Sequence, residues 1–427
     1  MFDIEKAKKR LNLEVSEIAF LLGVRGQPDI AIQKWLKKPT AIPPTYERRF
    51  QGLPSRFPYR TEDSTSDPKF RFIDLFAGIG GMRLPFQARG GECVFTAEWD
   101  KQAQISYASN FGEFPRKNGD ITAFSASEIG DHDVLLAGFP CQTFSQAGRK
   151  AGLLDTRGTM FFEIQRILAH HEPSAFLLEN VKQLKGHDKG RTLKTIMSIL
   201  NGDCAPDIPA DVPMSEEARE ALGTKLKYNA DFEVFRARDF GLPQNRERIY
   251  IVGFHRDKVA GADRKGLVKD MFDRIYAARE EGYARRTFGD VLQKEPAQTA
   301  PYVISEKLWT GHQRRKERHL ANGNGFGYSM FDEASEYCNT ISARYYKDGS
   351  EILVNQTGHI RPRKLTPREA ARIQGFPEDF HISSVSAAQA YKQFGNSVAV
   401  PVIDAIARQM LPILGVKTTE HSGLWQT

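Results

Sequence analysis

The sequence predicts an α/β protein. A doubly wound, Rossmann-like sheet is joined by a smaller, irregular α+β domain and preceded by a helix-turn-helix-like extension. Three observations predict this. FRFIDLFAGIGG is an apolar strand that runs into a glycine-rich turn, with MRLPFQARG opening a helix behind it. VLLAGFP, from Val134, is a second apolar strand that stops at Gly138 and delivers Pro140 and Cys141 at its carboxyl end, where open α/β sheets bind their ligands. Between about His255 and Arg361 the strand–helix alternation loosens, and it returns with KLTPREAARIQGF. The boundaries read as an extension over 1–52, a linker over 53–69, a catalytic domain over 70–258, an irregular domain over 259–360, and a return to the catalytic domain over 361–427.

A chain of 427 residues has room for more than one core. Its formal charge is +7, and the first 60 residues carry twelve Lys/Arg against six Asp/Glu. A second basic cluster, Arg314, Arg315, Lys316 and Arg318, lies far downstream. Two basic patches point to a polyanionic partner. The four cysteines have neither metal-ligand spacing nor disulfide-like pairing, so no metal is expected and a reducing compartment fits. No apolar run is long enough to span a membrane, and FDIEKAKKRL is no signal peptide, which together predict a cytoplasmic protein without a membrane partner.

Within the extension, LEVSEIAFLLGV has helical spacing with Ser16 as its cap. Gly23 to Pro28 turns the chain, and IAIQKWLKK is a basic helix that stops at Pro39. Residues 52–69, rich in Pro, Ser, Thr and Asp, read as the linker.

The glycines at 78, 80 and 81 let a ligand approach the backbone, but they lack the spacing of a dinucleotide fingerprint. The second strand ends in Glu98 and Trp99. A carboxylate there accepts hydrogen bonds from a ribose diol, and the indole beside it covers a base or a cation. Asp120 offers a second carboxylate near a strand end.

Cys141 opens a polar loop reaching Gly158, as a thiol meant to meet something from outside. TMFFEIQRILAHH reads as an amphipathic helix. SAFLLENV is the next strand, and it places Glu179 on the same sheet edge, where an apolar setting raises a carboxyl pKa. Residues 201–224 read as a surface insertion. In QNRERIYIVGF the period of two puts Arg246 and Arg248 on one face of a strand. Arg344, Tyr345, Tyr346 and Lys347 interleave bases with aromatics, a composition suited to DNA, within short strand-like pieces. Near the end, QFGNSVAVPV reads as a glycine turn feeding an apolar helix.

The ordered set FIDLFAGIGG, EWD, GDI, GFPCQTFS, ENV, QNRERIYIVG, LTPREAARIQGF and QFGNSVAVPV resembles the DNA cytosine-5 methyltransferases over about residues 70–412. The resemblance implies a site-specific enzyme that takes S-adenosylmethionine and acts on double-stranded DNA. It implies Cys141 as the nucleophile toward cytosine C6, Glu179 on the N3 and amino edge of the base, and Arg246 and Arg248 bracing them. Phe76, Gly78, Ile79, Glu98, Trp99, Asp120 and Ile121 would hold the cofactor, with Pro140, Met160, Asn396 and Val398 closing the pocket. Gln142, Ser145, Arg314, Arg315, Arg344 and Tyr345 would contact DNA.

The target cytosine would be flipped out of the duplex. The recognition segment resembles those of bacterial enzymes acting on short CC-containing palindromes, such as CCWGG, CCNGG or CCGG. A cognate restriction endonuclease is the implied functional partner. The enzyme would act as a monomer on DNA, with a dimer through the amino-terminal helices as the alternative. The extension resembles those of modification methylases that repress their own operon. Two alternatives stay open: a DNA-binding repressor, and an RNA cytosine-5 methyltransferase.

Overall fold

A computed structural model describes residues 4–24, 26–38, 41–61, 67–140, 160–203, 212, 214–325, 327–356, 358 and 360–417. Cys141, Gln142 and Ser145 lie outside the described residues. Among those described, no helix is long and apolar enough to cross a membrane.

The chain opens with α1 (Ile4–Leu11), α2 (Val15–Leu21), α3 (Pro28–Lys37) and α4 (Pro44–Gln51). Then come β1 (Phe70–Leu75), α5 (Arg83–Ala88), β2 (Gly91–Ala97), α6 (Lys101–Phe111), β3 (Val134–Gly138), α7 (Met160–His171) and β4 (Ala175–Val181). They are followed by α8 (Arg191–Leu200), α9 (Glu216–Ala221), β5 (Tyr228–Arg236), β6 (Gln244–Asn245), β7 (Glu247–His255) and α10 (Leu267–Gly282). The last stretch holds α11 (Phe288–Val291), α12 (Pro296–Thr299), α13 (Glu306–Ala321), β8 (Met330–Phe331), β9 (Cys338–Asn339), β10 (Leu353–Val354), α14 (Pro367–Arg372), α15 (Ala387–Asn396) and α16 (Val400–Ile413).

The chain forms two compact units, one of residues 66–99, 117–286 and 398–427, the other of 1–65, 100–116 and 287–397. The first is the Rossmann-like part. Its six-stranded sheet has the order β2-β1-β3-β4-β7-β5, with β7 antiparallel to both neighbours and the remaining pairings parallel. The inner strands are apolar runs because both faces are covered. One face buries Phe72, Leu136, Leu177 and Val252 under α10 and α16; the other buries Ile73, Leu135, Phe176 and Ile251 with α7 and α8. The boundary expected at 259 falls instead at 287, because Val268, Met271, Phe272 and Ile275 of α10 belong to the sheet's own core.

Helix α7 is buried on all sides rather than amphipathic. Its Glu163 and Arg166 pair at 2.6 Å, and Arg166 also donates to the carbonyls of Ile121 and Phe124, so both charges are satisfied inside the core.

In the second unit, the cap of α2 is Glu14, in a reciprocal capping box with Glu17, and Ser16 lies within the helix. Trp35 is buried against Tyr46, so the basic helix turns its tryptophan inward. The expected linker is docked rather than free over 53–61. Leu53 and Phe57 are buried, Tyr59 packs on Phe111 and Phe380, and its N–H donates to the Asn110 carbonyl. Helix α6 is buried along almost its whole length: Ala108 joins the core of the amino-terminal helices, while Ser106 and Asn110 bond to Gln393 and His381.

Of the strand-like pieces expected around 340–354, only β9 and β10 form, and 343–351 is mostly turn. Thr366 caps α14 in a capping box with Glu369. Gly395 sits in α15 rather than in a turn. A Cβ there would lie 2.3–2.4 Å from the Ser342–Ala343 backbone, which explains the glycine.

Candidate active site

The Rossmann-like unit gathers most of the expected residues at the carboxyl ends of β1 to β4 and the start of β7. Beyond β1, Phe76 and Gly78 both have positive φ (54° and 57°), the left-handed geometry of a sharp turn, and nothing stands within 4 Å of where a Gly78 Cβ would be. Glu98, one residue past β2, accepts the Gly78 N–H at 2.7 Å and so ties the two strand ends together. Trp99 beside it is 76% exposed, an indole held out to solvent. Ile79 is buried. Asp120 caps a short helical turn by accepting from the Thr122 N–H and hydroxyl, and Ile121 behind it is buried.

Pro140 is partly buried just past β3, Met160 begins α7 against the same core as Ile121, and Val398 lies in the opposite core. Asn396, the last residue of α15, is exposed and belongs to the other unit.

Glu179 pairs in register with Gly138 on one side and Tyr250 on the other. Alternation along β7 puts Arg248 on the same sheet face as Tyr250, and Arg248 Nε lies 3.1 Å from Glu179 Oε1. Burial is the main influence on Glu179. It pushes the carboxyl above its ordinary range against the lowering pull of Arg248 and Arg246. Arg246 is fully buried; burial and the nearby Arg248 cation pull it down to about 9, still protonated at neutral pH. The two arginines and the carboxylate therefore lie close enough for their charges to act on one another. Glu247 between them turns to the other face and pairs with Lys182 and Arg236, pinning the start of β7.

Two site-edge residues were not singled out from the sequence. Tyr250 lies directly opposite Glu179, and Asn180 donates from Nδ2 to the Phe139 carbonyl at 3.3 Å. The signal available for both was strand alternation around ENV and RIY.

The expected DNA contacts that are described lie in the second unit. Arg314 and Arg344 are exposed, and Arg315 is half-buried and paired with Asp348 at 3.0 Å. Tyr345 is a correction. It is fully buried, its hydroxyl donates to the Ile352 carbonyl and accepts from the Leu365 N–H, and it packs on Tyr391. The aromatic that reaches solvent there is Tyr346. No group of three or more His, Cys, Asp or Glu among the described residues could hold a metal ion.

A family model described as C-5 cytosine-specific DNA methylase matches residues 70–202 and 220–412, so the gap in the match falls within the expected insertion. Type II methyltransferase M.SsoII of Shigella sonnei is 46% identical over 412 residues, 96% of this chain and 97% of that protein. Type II methyltransferase M1.ScrFI of Lactococcus lactis subsp. cremoris is 47% identical over 412 residues, 96% of this chain and 95% of its own length. Type II methyltransferase M.NlaX of Neisseria lactamica is 52% identical over 343 residues, only 80% of this chain but 96% of itself. Among solved structures, the S. pombe Dnmt2 methyltransferase superposes with a TM-score of 0.59 at 20% identity, covering 80% of this chain and 98% of that one.

Proposed function

The chain belongs to the C-5 cytosine-specific DNA methylases, and from that premise we propose that it moves a methyl group from S-adenosylmethionine to C5 of a cytosine flipped out of a short duplex sequence. The enzyme is a DNA cytosine-5 methyltransferase of the type II modification class. The observation that carries the mechanism is the buried Glu179 carboxyl, held by Arg248 and level in the sheet with Gly138, which precedes Cys141 by three residues.

The residues at the first strand ends fit the cofactor. Open space beside Gly78, the Glu98 carboxylate for a ribose diol, the exposed Trp99 indole, and Asp120 with Ile121 for the adenine make a nucleoside cradle. Bound there, S-adenosylmethionine supplies an electrophilic sulfonium methyl group.

Cytosine C5 is a weak nucleophile, and Cys141 remedies this. Its thiolate forms a bond to C6, the C5–C6 π electrons become available at C5, and Glu179 delivers the proton that N3 takes up. C5 would then take the methyl group that S-adenosylmethionine, held by Gly78, Glu98, Trp99 and Asp120, would supply, with the electron pair of the broken bond leaving on its sulfur. Loss of the C5 proton to a base and cleavage of the sulfur–C6 bond return the thiolate. Arg248 holds Glu179 in place, and Arg246 adds positive charge behind it. Extracting the base from the stack costs a few kcal/mol, which the phosphate contacts of the exposed arginines help to offset.

The biological reading is protection of host DNA alongside a cognate endonuclease, at a short CC-containing palindrome. Tritiated S-adenosylmethionine with unmethylated duplex DNA, followed by bisulfite sequencing, tests the reaction and its target sequence. The wild type labels one short sequence at cytosine, Cys141→Ser does not, and a labelled adenine or no label at all would sink the reading.

A second role, autoregulation through the extension, is favoured by one observation. Ile30, Gln33, Lys34 and Lys37 form an exposed stripe on α3, which follows α2 after a left-handed turn at Gly23. Such a face reads a major groove. Binding of the enzyme to its own promoter DNA, lost in Gln33→Ala with Lys34→Ala while methylation persists, is the expected result.

A further inference from the structure

Where β3 and β4 end, the ladder between them closes with Gly138 opposite Glu179. Phe139 follows, 4% exposed, and then Pro140, which has no N–H to offer a neighbour. A buried carbonyl at the end of an inner strand needs a donor. Asn180 supplies it. This side chain is 2% exposed and lies on the sheet face opposite Glu179 by alternation. Its Oδ1 accepts the Val181 N–H at 2.8 Å, and its Nδ2 donates to the Phe139 carbonyl at 3.3 Å. One carboxamide thus bridges the two diverging strands as a further peptide group would, adding a rung beyond the last backbone pair.

We propose that Asn180 is a positioning residue for the nucleophile: its carboxamide fixes the Phe139–Pro140 backbone that delivers Cys141, while its neighbour Glu179 faces the base. The proposal rests on the reading of Cys141 given above. The role requires a donor and an acceptor on one short planar group. Aspartate has the shape but no donor when ionised, and alanine has neither function. Nucleophile and acid are thereby registered by adjacent residues of one strand, so that a shift of the chain at Phe139 changes the distance over which sulfur must reach C6.

The test uses the full-length enzyme and its target duplex, with Asn180→Ala and the near-isosteric Asn180→Asp. Single-turnover methyl transfer should slow by about tenfold or more in both, with the KM for S-adenosylmethionine within about twofold of wild type. Covalent capture on a duplex carrying 5-fluorocytosine should slow by the same factor. Rates are referred to folded enzyme, counted by cofactor binding, so a loss of folded protein alone does not register. If alanine prevents folding, the aspartate variant carries the test. Variants that are captured and turn over as fast as wild type would overturn the role of Asn180. A wild type that is never captured would instead overturn the reading of Cys141.

Discussion

Glu179 and Arg248 are 3.1 Å apart across adjacent antiparallel strands, yet the carboxyl titrates above its ordinary range because its loss of hydration outweighs the attraction of the guanidinium groups. Such a carboxyl holds its proton to a higher pH than a solvated glutamate does. The same shift has a consequence for stability. Since the folded value lies above the ordinary 4.5, the folded state binds the proton more tightly. Its contribution is full below that ordinary value and is lost as pH rises through the folded one.

Glu179→Gln removes this dependence. Urea denaturation between about pH 4 and pH 8, a range that brackets a raised carboxyl, should show the stability difference moving in favour of the glutamine variant as pH rises. Parallel curves for the two proteins would contradict the buried-carboxyl assignment. Methyl transfer by the variant should fall about 10²-fold or more and lack the decline expected of the wild type above its folded pKa.

Arg314 and Arg344 are exposed on the unit that carries the downstream basic cluster, whereas Tyr345, next to Arg344 in the chain, is interior. Arg344→Ala should weaken DNA binding and reduce the slope of log K against log salt by about 0.9. Tyr345→Phe should leave that slope alone and instead cost about 1–3 kcal/mol, because the buried Leu365 N–H loses its acceptor. Fluorescence anisotropy over a salt series, beside chemical denaturation, separates the two effects.

What was legible follows from where each signal resides. Inner parallel strands must be apolar on both faces, so β1, β3 and β4 and the residues at their ends could be found from FIDL, VLLAG and AFLLENV alone. The interior of α7 could not, because Glu163 and Arg166 look like a solvated stripe until Ser215, Glu217 and the carbonyls of Ile121 and Phe124 arrive from elsewhere in the chain. Tyr345 misled for the same reason: its partners, Ile352 and Leu365, are set by turns rather than by periodicity. Helix α13 was missed because it is polar nearly all round and buries only His312 completely.

Gly395 allows α15 to touch the backbone at Ser342–Ala343, immediately before Arg344. Gly395→Ala should displace that segment and cost about 1–3 kcal/mol, since backbone rather than a flexible side chain must yield. DNA affinity should fall with it. An alanine variant as stable as wild type in thermal unfolding would show that the approach is looser.

Asp404 is 2% exposed and receives Arg89, also buried, together with the Tyr283 hydroxyl at 2.9 Å and Arg408 at 2.9 Å. It ties α16 to the segment after α10. Asp404→Ala strands the Arg89 cation in the interior and should cost about 3–5 kcal/mol. Adding Arg89→Met should recover part of that loss, because the uncompensated charge disappears with it; a double variant no better than the single one would assign the loss to packing instead.

Removing residues 1–60 tests the extension badly, and the reason is structural. Phe20 packs edge-on against Phe114, Gly52 fits so closely that a Cβ would lie 2.4 Å from the Ser383 carbonyl, and the Gly52 carbonyl bonds His381. Tyr59 lies against Phe111 and Phe380. Ala108 of α6 lies in the core that the amino-terminal helices form, so the truncated protein should expose part of α6, unfold at lower temperature and lose methylation together with any promoter binding. Lys34→Ala, on the exposed side of α3, should leave the melting temperature and methyl transfer unchanged. Only that contrast isolates DNA reading by the extension from its part in the fold; a truncated protein that melts and methylates like the full chain would show that the packing on α6 contributes nothing to either.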